Sequence, residues 1–439
     1  DLVRSRGLGD VYKRQLKDDK YPVTVKLHYI AYGKENIIRT FSEISHQEKK
    51  PVTLSKYASS MLHLNSSRYF LTEFSGDWAH EANITERELD FGKKVVDTKL
   101  GTRANLFVSP FFQLSLGNPS QENAGEVLVG TLGWTGNFRF IFEVDNKNEL
   151  RIISGINPYA SEYKLPANEV FRTPDFYFTY SCQGKGEASR SFHDWARNHQ
   201  VKKGGETRMT LLNNWEATYF NFTEDRLVQI ASKAKECGVE LFVLDDGWFG
   251  QRNDDHAGLG DWVANPERLP NGIKGLSERI EAMGIKFGLW FEPEMTNKDS
   301  DLYRAHPDWI LHTPGRNTSH GRYQYVLDFS RKEVVEYIYE MMAKILSEAK
   351  VSYIKWDMNR SITECYSVAL PADRQGEVFH RYILGVYDLY ERLTSEFPEV
   401  LFESCSSGGG RFDPGMLYYA PQGWTSDDSD AIAVSYTHL

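Results

Sequence analysis

The segment YIKWDMNRS, residues 353–361, ends an apolar run with a lysine, a tryptophan and an aspartate in succession. Lys355 and Asp357 are two residues apart, so on an extended strand both side chains project to one face. A carboxylate beside an ammonium group keeps its charge, because a nearby cation favours the ionised form. A fixed, ionised Asp357 could act as a nucleophile or stabilise a developing cation. The pattern alone fits a structural ion pair equally well.

Other acids recur beside apolar runs. In LDDGW, Asp245 and Asp246 follow a run that reads as a central strand. Adjacent carboxylates there suit adjacent sugar hydroxyls, which they would accept as hydrogen bonds. A metal site is the rival, but no histidine stands at ligand spacing; His256 lies in a polar loop further on. SDDSD supplies Asp427, Asp428 and Asp430, which alone fit a solvated acidic turn. Trp215, Trp248, Trp290, Trp356 and Trp424 each lie at or beside a strand end. Some must cap the core, yet a flat indole also suits the C–H face of a sugar ring. Carboxylates and tryptophans together point to a carbohydrate site. SSGGGRFD is neither a dinucleotide fingerprint nor a phosphate loop, and suits close backbone approach to a ligand. Cys405 lacks the surroundings of a cysteine nucleophile. His80-Glu81 lacks the second histidine of a zinc protease.

The elements that would position these residues follow a strand–loop–helix rhythm after residue 206. Thr223 caps a helix with Leu227, Ile230, Ala231 and Ala234 on one face and Gly238 as its stop. Leu276, Ile280 and Met283 mark a second helix. Ser330 and Glu333 form a capping box before a third, with Val334, Ile338, Met341 and Ile345 inward. Seven strand ends fall near residues 215, 246, 292, 328, 357, 404 and 426. Polar and aromatic residues gather at nearly every one, including Glu292 and Asp328. A closed barrel brings all such ends to one mouth, whereas an open sheet concentrates contacts at a switch point. A (β/α)8-type barrel lacking its last strand is therefore expected over residues 207–432. Before it, short alternating runs such as VTVKLHYIAY, FRFIFEV and DFYFTYS, separated by turn clusters, read as an antiparallel sandwich. That domain is expected over 16–201 with a closing helix around EASRSFHDWARNH, and KKGGE (202–206) as the linker.

The 439 residues are 41% hydrophobic and 26% charged, as in a globular protein with ample core. No run approaches a membrane span. A formal charge of −10 argues against nucleic acid or anionic lipid as the main partner. The four cysteines are scattered without CxxC pairs, which favours a reducing, cytoplasmic setting.

LDDGWFG, GLWFEPEM, YIKWDMNR, ESCSSGGGRFD and WTSDDSDA, in this order, resemble glycoside hydrolase family 36, the bacterial-type α-galactosidases. The similarity runs from about residue 16 to 432, and YFLTEFSGDWAHE and SPFFQLSLG resemble that family's N-terminal β-supersandwich. The resemblance implies that Asp357 is the nucleophile and Asp427 the general acid/base. It implies that Asp245 and Asp246 hold the galactose 4- and 6-hydroxyls, with Trp215 and Trp290 shaping that end. Lys355 and Arg322 would bind hydroxyls near the nucleophile, and Cys405, Gly408 and Trp424 would line the side around O2. Asp428 would help raise the pKa of Asp427. The implied reaction is double displacement with retention, which calls for carboxyl groups about 5–5.5 Å apart, and no cofactor or metal. The expected partner is an α-1,6-galactoside such as melibiose or raffinose, and the parent protein is expected to be a homo-oligomer.

Alternatives built on the same site are an α-N-acetylgalactosaminidase and a galactosyl transferase of the raffinose-synthase type. A non-catalytic sugar-binding protein is a different class, opposed by the two intact carboxylates, and an inactive fragment is another. The family pattern extends beyond both ends of this chain. Residues 1–15 and about 433–439 look like translated adapter sequence, so truncation on both sides is expected, as is insolubility or inactivity of the fragment alone.

Overall fold

In the computed structural model, residues 10–429 are described. The expected tail at 433–439, the first nine residues of the expected leader and Asp430 lie outside them.

Alternation builds the first domain. Phe138, Phe140, Phe142 and Val144 of strand Phe138–Val144 all point inward, and Phe112 meets Phe140 and Phe142 edge-on at 5.2 and 4.9 Å. The main sheet is antiparallel in the order Asp10–Lys17, Val23–Tyr32, Ile37–His46, Asp175–Ser181, Glu126–Gly133, Val108–Leu116, Tyr69–Asp77 and His80–Glu88. Facing it are Ser60–Asn65, Glu149–Ile156, Phe138–Val144 and Gly92–Asp97. This is the expected sandwich, with two differences. Its first strand starts at Asp10 rather than 16, pairing residue for residue with Val23–Tyr32. Edge pairing uses backbone groups, so composition gave no sign of it. In Val23–Tyr32 the fully buried face is His28, Ile30 and Tyr32 rather than the apolar-looking odd positions. That face packs on Phe41, Tyr177 and Trp195, and the His28 ring stacks on Phe41 at 4.3 Å.

The closing helix is Lys185–Trp195, which widens into one π-turn over Ala196–Gln200, and turns fill 202–206. Beyond it lies a curled parallel sheet in simple sequential order: Leu211–Asn213, Leu241–Leu244, Lys286–Phe291, Tyr353–Trp356, Leu401–Ser404 and Gln422–Gly423. Helices cover its outer face. Thr223 Oγ1 accepts from the Arg226 amide and caps helix Glu224–Glu236, burying Leu227, Ala231 and Ala234. Helix Gly272–Ala282 buries Leu276 and Ile280.

Among the described residues the sheet has six strands, not seven. The run at Gln324–Val326 pairs antiparallel with Met295–Asn297, and Lys286–Phe291 pairs directly with Tyr353–Trp356. Hydrophobic pattern reveals a strand but not its partner. The left-handed Arg322 and Tyr323 turn this run back onto the preceding loop. The capping box is also not formed. Helix Lys332–Glu348 starts after Arg331 without a side-chain cap, because the Ser330 hydroxyl donates to Asp328 and the Arg331 guanidinium takes Glu333 at 2.8 Å. The helix buries Val334, Val335, Ile338, Met342 and Leu346, leaving Met341 and Ile345 only half-buried.

Sandwich and barrel share one apolar core. Polar ties reinforce it: the Thr135 amide donates to Tyr387 Oη at 3.0 Å and Ile362 N to Leu100 O at 2.9 Å. Arg411 and Glu294, both fully buried, pair at 2.8 Å. Arg411 also donates to Thr102 of the sandwich, and Trp356 and Tyr382 donate to Glu294. The first domain is thus locked against the mouth of the second.

Candidate active site

Register explains why the charges meet. Trp290, Lys355 and Glu403 are paired neighbours on three adjacent parallel strands, so their side chains share one face. Lys355 Nζ donates to Asp245 Oδ2 across the mouth at 2.9 Å and sits 4.7 Å from the Trp424 ring centre. The direct partner of Lys355 is therefore Asp245, and Asp357 feels its charge at one remove. Burial opposes the Lys355 charge, but Asp245 and Asp357 raise its pKa well above the ordinary value.

Asp357 is buried just past its strand, where its amide still donates to Phe291 O at 2.8 Å. Its Oδ2 accepts from Trp290 Nε1 at 3.2 Å and from Asn359 Nδ2 at 2.8 Å, and its Oδ1 from the Met358 amide at 2.9 Å. Burial alone would push this carboxyl up. Lys355, Asn359, Cys405 and Trp290 outweigh it and hold the pKa below the usual value. The buried Cys405 thiol is raised well above its own usual value, by burial and then by Asp357, so it stays protonated and donates. Asp357 is an anion in a dry, donor-lined seat.

Asp427 is the opposite case. Burial pushes its carboxyl up, and Asp357 and Glu81 add to this against the Trp78 hydrogen bond and Lys355. Asp357, and not the sequence neighbour Asp428, is the leading acid. Asp428 is half-buried, its amide donating to Ser426 Oγ at 3.0 Å. Both Asp357 and Asp427 raise Cys405, and Asp357 raises Asp427, so the two acids are electrostatic neighbours.

The tandem acids divide their work. Asp245 accepts from Lys355 and Asn213. Both Asp246 oxygens are engaged by Arg252, whose Nη2 and Nε approach at 2.8 and 3.0 Å. A carboxylate offers about four lone-pair sites, so both keep capacity for hydroxyl donors. Trp215 is tied to the Asp245 side by its amide, which donates to Asn213 Oδ1 at 2.8 Å. Ser429 reaches Glu216 beside it at 3.3 Å. Trp424 donates its amide to Ser404 O at 3.0 Å. Gly408 is left-handed, with φ +84°, and a Cβ there would lie 2.4 Å from Glu81 Oε1 and 3.0 Å from Asp427 N. Only glycine lets this loop approach so closely. Arg322 is exposed, and its charge acts on Glu292 and Arg103.

Several contributors were not expected. Glu292 was noted only as a strand-end acid; burial and then Asp357 push it up to about 7, and it accepts from Gln324 and the Asn359 amide. Glu403, similarly buried, is also raised to about 7. Asn359 repeats the two-residue spacing of Lys355 and Asp357, the signal that could have found it. Arg252 had no such signal. Trp78 and Glu81 come from the sandwich, and the Trp78 indole donates to Asp427 Oδ2 at 2.9 Å. Among the described residues, one exposed loop gathers metal-type ligands, Asp254, Asp255 and His256. Two clefts of about 850 and 700 Å³, by the outer helices and below the sheet, contain none of the expected site residues.

A mouth of this kind, with one carboxyl pKa lowered and one raised among indoles, has known relatives. The family model described as Melibiase matches residues 170–436, and that of the glycosyl hydrolase family 36 N-terminal domain matches 9–166. The chain is 43% identical over 420 residues to alpha-galactosidase AgaA of Geobacillus stearothermophilus, covering 95% of this chain and 57% of that protein. It is 42% identical over 419 residues to alpha-galactosidase Mel36A of Lactobacillus acidophilus, with the same coverages of 95% and 57%. A crystal structure of an AgaA variant with stachyose superposes with a TM-score of 0.94 at 41% identity, over 98% of this chain and 61% of that one. The alpha-galactosidase of Lactobacillus brevis gives 0.95 at 40%, over 99% and 59%. The chain thus spans under two thirds of the length of these relatives. It belongs to the Melibiase family, with a family 36 glycosyl hydrolase N-terminal domain in front of its barrel.

Proposed function

We propose that this chain carries the catalytic centre of a retaining α-galactosidase that releases terminal α-linked galactose from oligosaccharides of the raffinose type. The observation that carries the reading is the opposite shift of two neighbouring acids, Asp357 lowered against burial by Lys355 and its donors, and Asp427 raised by burial and by Asp357. Divergent environments for paired carboxyls are how a glycosidase separates nucleophile from acid. Asp357 attacks the anomeric carbon as Asp427 protonates the departing oxygen. Water, deprotonated by Asp427, then cleaves the galactosyl ester with net retention.

The remaining residues serve the sugar. Asp245 and Asp246, each anchored by a buried cation, accept from the hydroxyls opposite the scissile bond. Lys355 donates there and supports the Asp357 charge. Trp215, Trp290 and Trp424 offer apolar faces, and Cys405 and Gly408 bound the side around O2, with Arg322 at the rim. AgaA structures with raffinose and with stachyose support this substrate class. All four cysteines are free, which supports a reducing, cytoplasmic setting. Among the described residues, no helix is long and apolar enough to cross a membrane.

The test is hydrolysis of 4-nitrophenyl α-galactoside by the full-length parent protein, as wild type and as Asp357→Ala. The variant is expected to lose at least a thousandfold in kcat, the order found when a nucleophile is removed. Equal rates would show that Asp357 is not the nucleophile.

A further inference from the structure

The turn between strands Tyr69–Asp77 and His80–Glu88 belongs to the sandwich, yet it ends at the acid/base. A β-bulge falls between Ser75 and Asp77, and Ala79 in the turn is left-handed at φ +52°. Bulges of this kind re-aim side chains. Here the result is that Trp78, 61% exposed, places its indole N–H 2.9 Å from Asp427 Oδ2. Glu81 lies against Gly408, and its buried Oε1 has no hydrogen-bond partner among the described residues.

An indole N–H can only donate. The oxygen facing it must present a lone pair, and in a carboxylic acid the carbonyl oxygen is the better acceptor. We propose that Trp78 and Glu81 are positioning residues of the acid/base centre: Trp78 fixes Asp427 Oδ2 as the acceptor so that the transferable proton sits on Oδ1, and Glu81 holds that proton in place. The proposal rests on the reading of Asp427 as the acid. Oδ1 gives its proton to the departing oxygen as the glycosidic bond breaks, and recovers one from water in the second step. The two sandwich residues oppose each other, since the indole N–H favours the anion and the Glu81 charge favours the acid. The other charged or titratable groups around Asp427 are Asp357, Lys355 and Cys405 from the strand ends, Asp428 on its own loop, and Glu216 through Ser429.

The chain, labelled with 15N-tryptophan, provides a readout that needs no turnover. The Trp78 indole resonance, assigned by its loss in Trp78→Phe, is expected to titrate with a midpoint above the ordinary aspartate value of about 3.9. Asp427→Asn should abolish that titration, and Glu81→Gln should lower its midpoint by about one pH unit. In active protein, the alkaline limb of kcat/KM should rise in Trp78→Phe and fall in Glu81→Gln. Variants that displace the limb in the same direction, or an indole signal indifferent to Asp427→Asn, overturn the proposal. Absence of galactoside cleavage by the full-length parent protein, with the titration intact, overturns the functional reading instead.

Discussion

Replacing Lys355 with Met removes one buried charge while keeping most of the side-chain volume. Two residues along a strand span about 6.6 Å. Unit charges about 7 Å apart interact by about 2.4 kcal/mol at an effective dielectric constant of 20, equivalent to ~1.7 pKa units. Without Lys355, the largest influence that offsets burial is gone, and the Asp357 carboxyl moves up. The acid limb of kcat/KM on 4-nitrophenyl α-galactoside should therefore move up by about 1.5 units. Stability should respond in the same pH range. In the wild type, the lowered Asp357 pKa contributes stability that is present above the unfolded pKa and lost as pH falls through the folded value. In Lys355→Met the folded pKa lies closer to the unfolded one, so that contribution is smaller and the acid-side loss of stability shallower. Asp245 also loses its buried cation, and urea unfolding at neutral pH should show a loss of about 3–5 kcal/mol. An acid limb that stays in place or moves down would refute the assignment of Lys355 as the cation that keeps Asp357 charged.

Arg411→Met breaks a pair with no solvent access at the domain junction and should cost about 3–5 kcal/mol in urea unfolding. Gly408→Ala places a methyl group against Glu81 at a left-handed position; a loss of about 1–3 kcal/mol is expected, with kcat falling more than KM changes. His380, stacked on Trp134 at 5.3 Å, is lowered by burial from 6.5 to about 4. It is neutral when folded and protonates earlier when unfolded, so stability should fall by about 3 kcal/mol as pH drops from 6.5 to 4. His380→Phe should flatten that slope in pH-dependent urea melts.

What could be seen in the sequence divides along a physical line. Asp245, Lys355, Asp357 and Cys405 were visible because each lies within two residues of a strand's end, and a barrel brings those ends together whatever the loops do. The partner of Lys355 was not visible. Two-residue spacing suggests Asp357, whereas the ammonium reaches across to Asp245. Gln324–Val326 shows the same limit, since the run Tyr325, Val326, Leu327 before Asp328 has one signature in a central strand and in a side hairpin. Ser330 and Glu333 stand at capping-box spacing, but Asp328 and Arg331 compete for them. Trp78 was beyond reach altogether. It meets Asp427 across 349 positions, through a bulge and a turn that leave no periodic trace.

The account depends most on Asp357 being the atom source of the covalent bond to the sugar. Trapping with a fluorinated α-galactosyl fluoride, followed by peptide mass spectrometry, tests this directly. The expected result is one hexosyl adduct on the peptide containing Asp357, formed in the wild type and absent in Asp357→Ala. An adduct on Asp427, or product released with inverted configuration and no adduct, would contradict it.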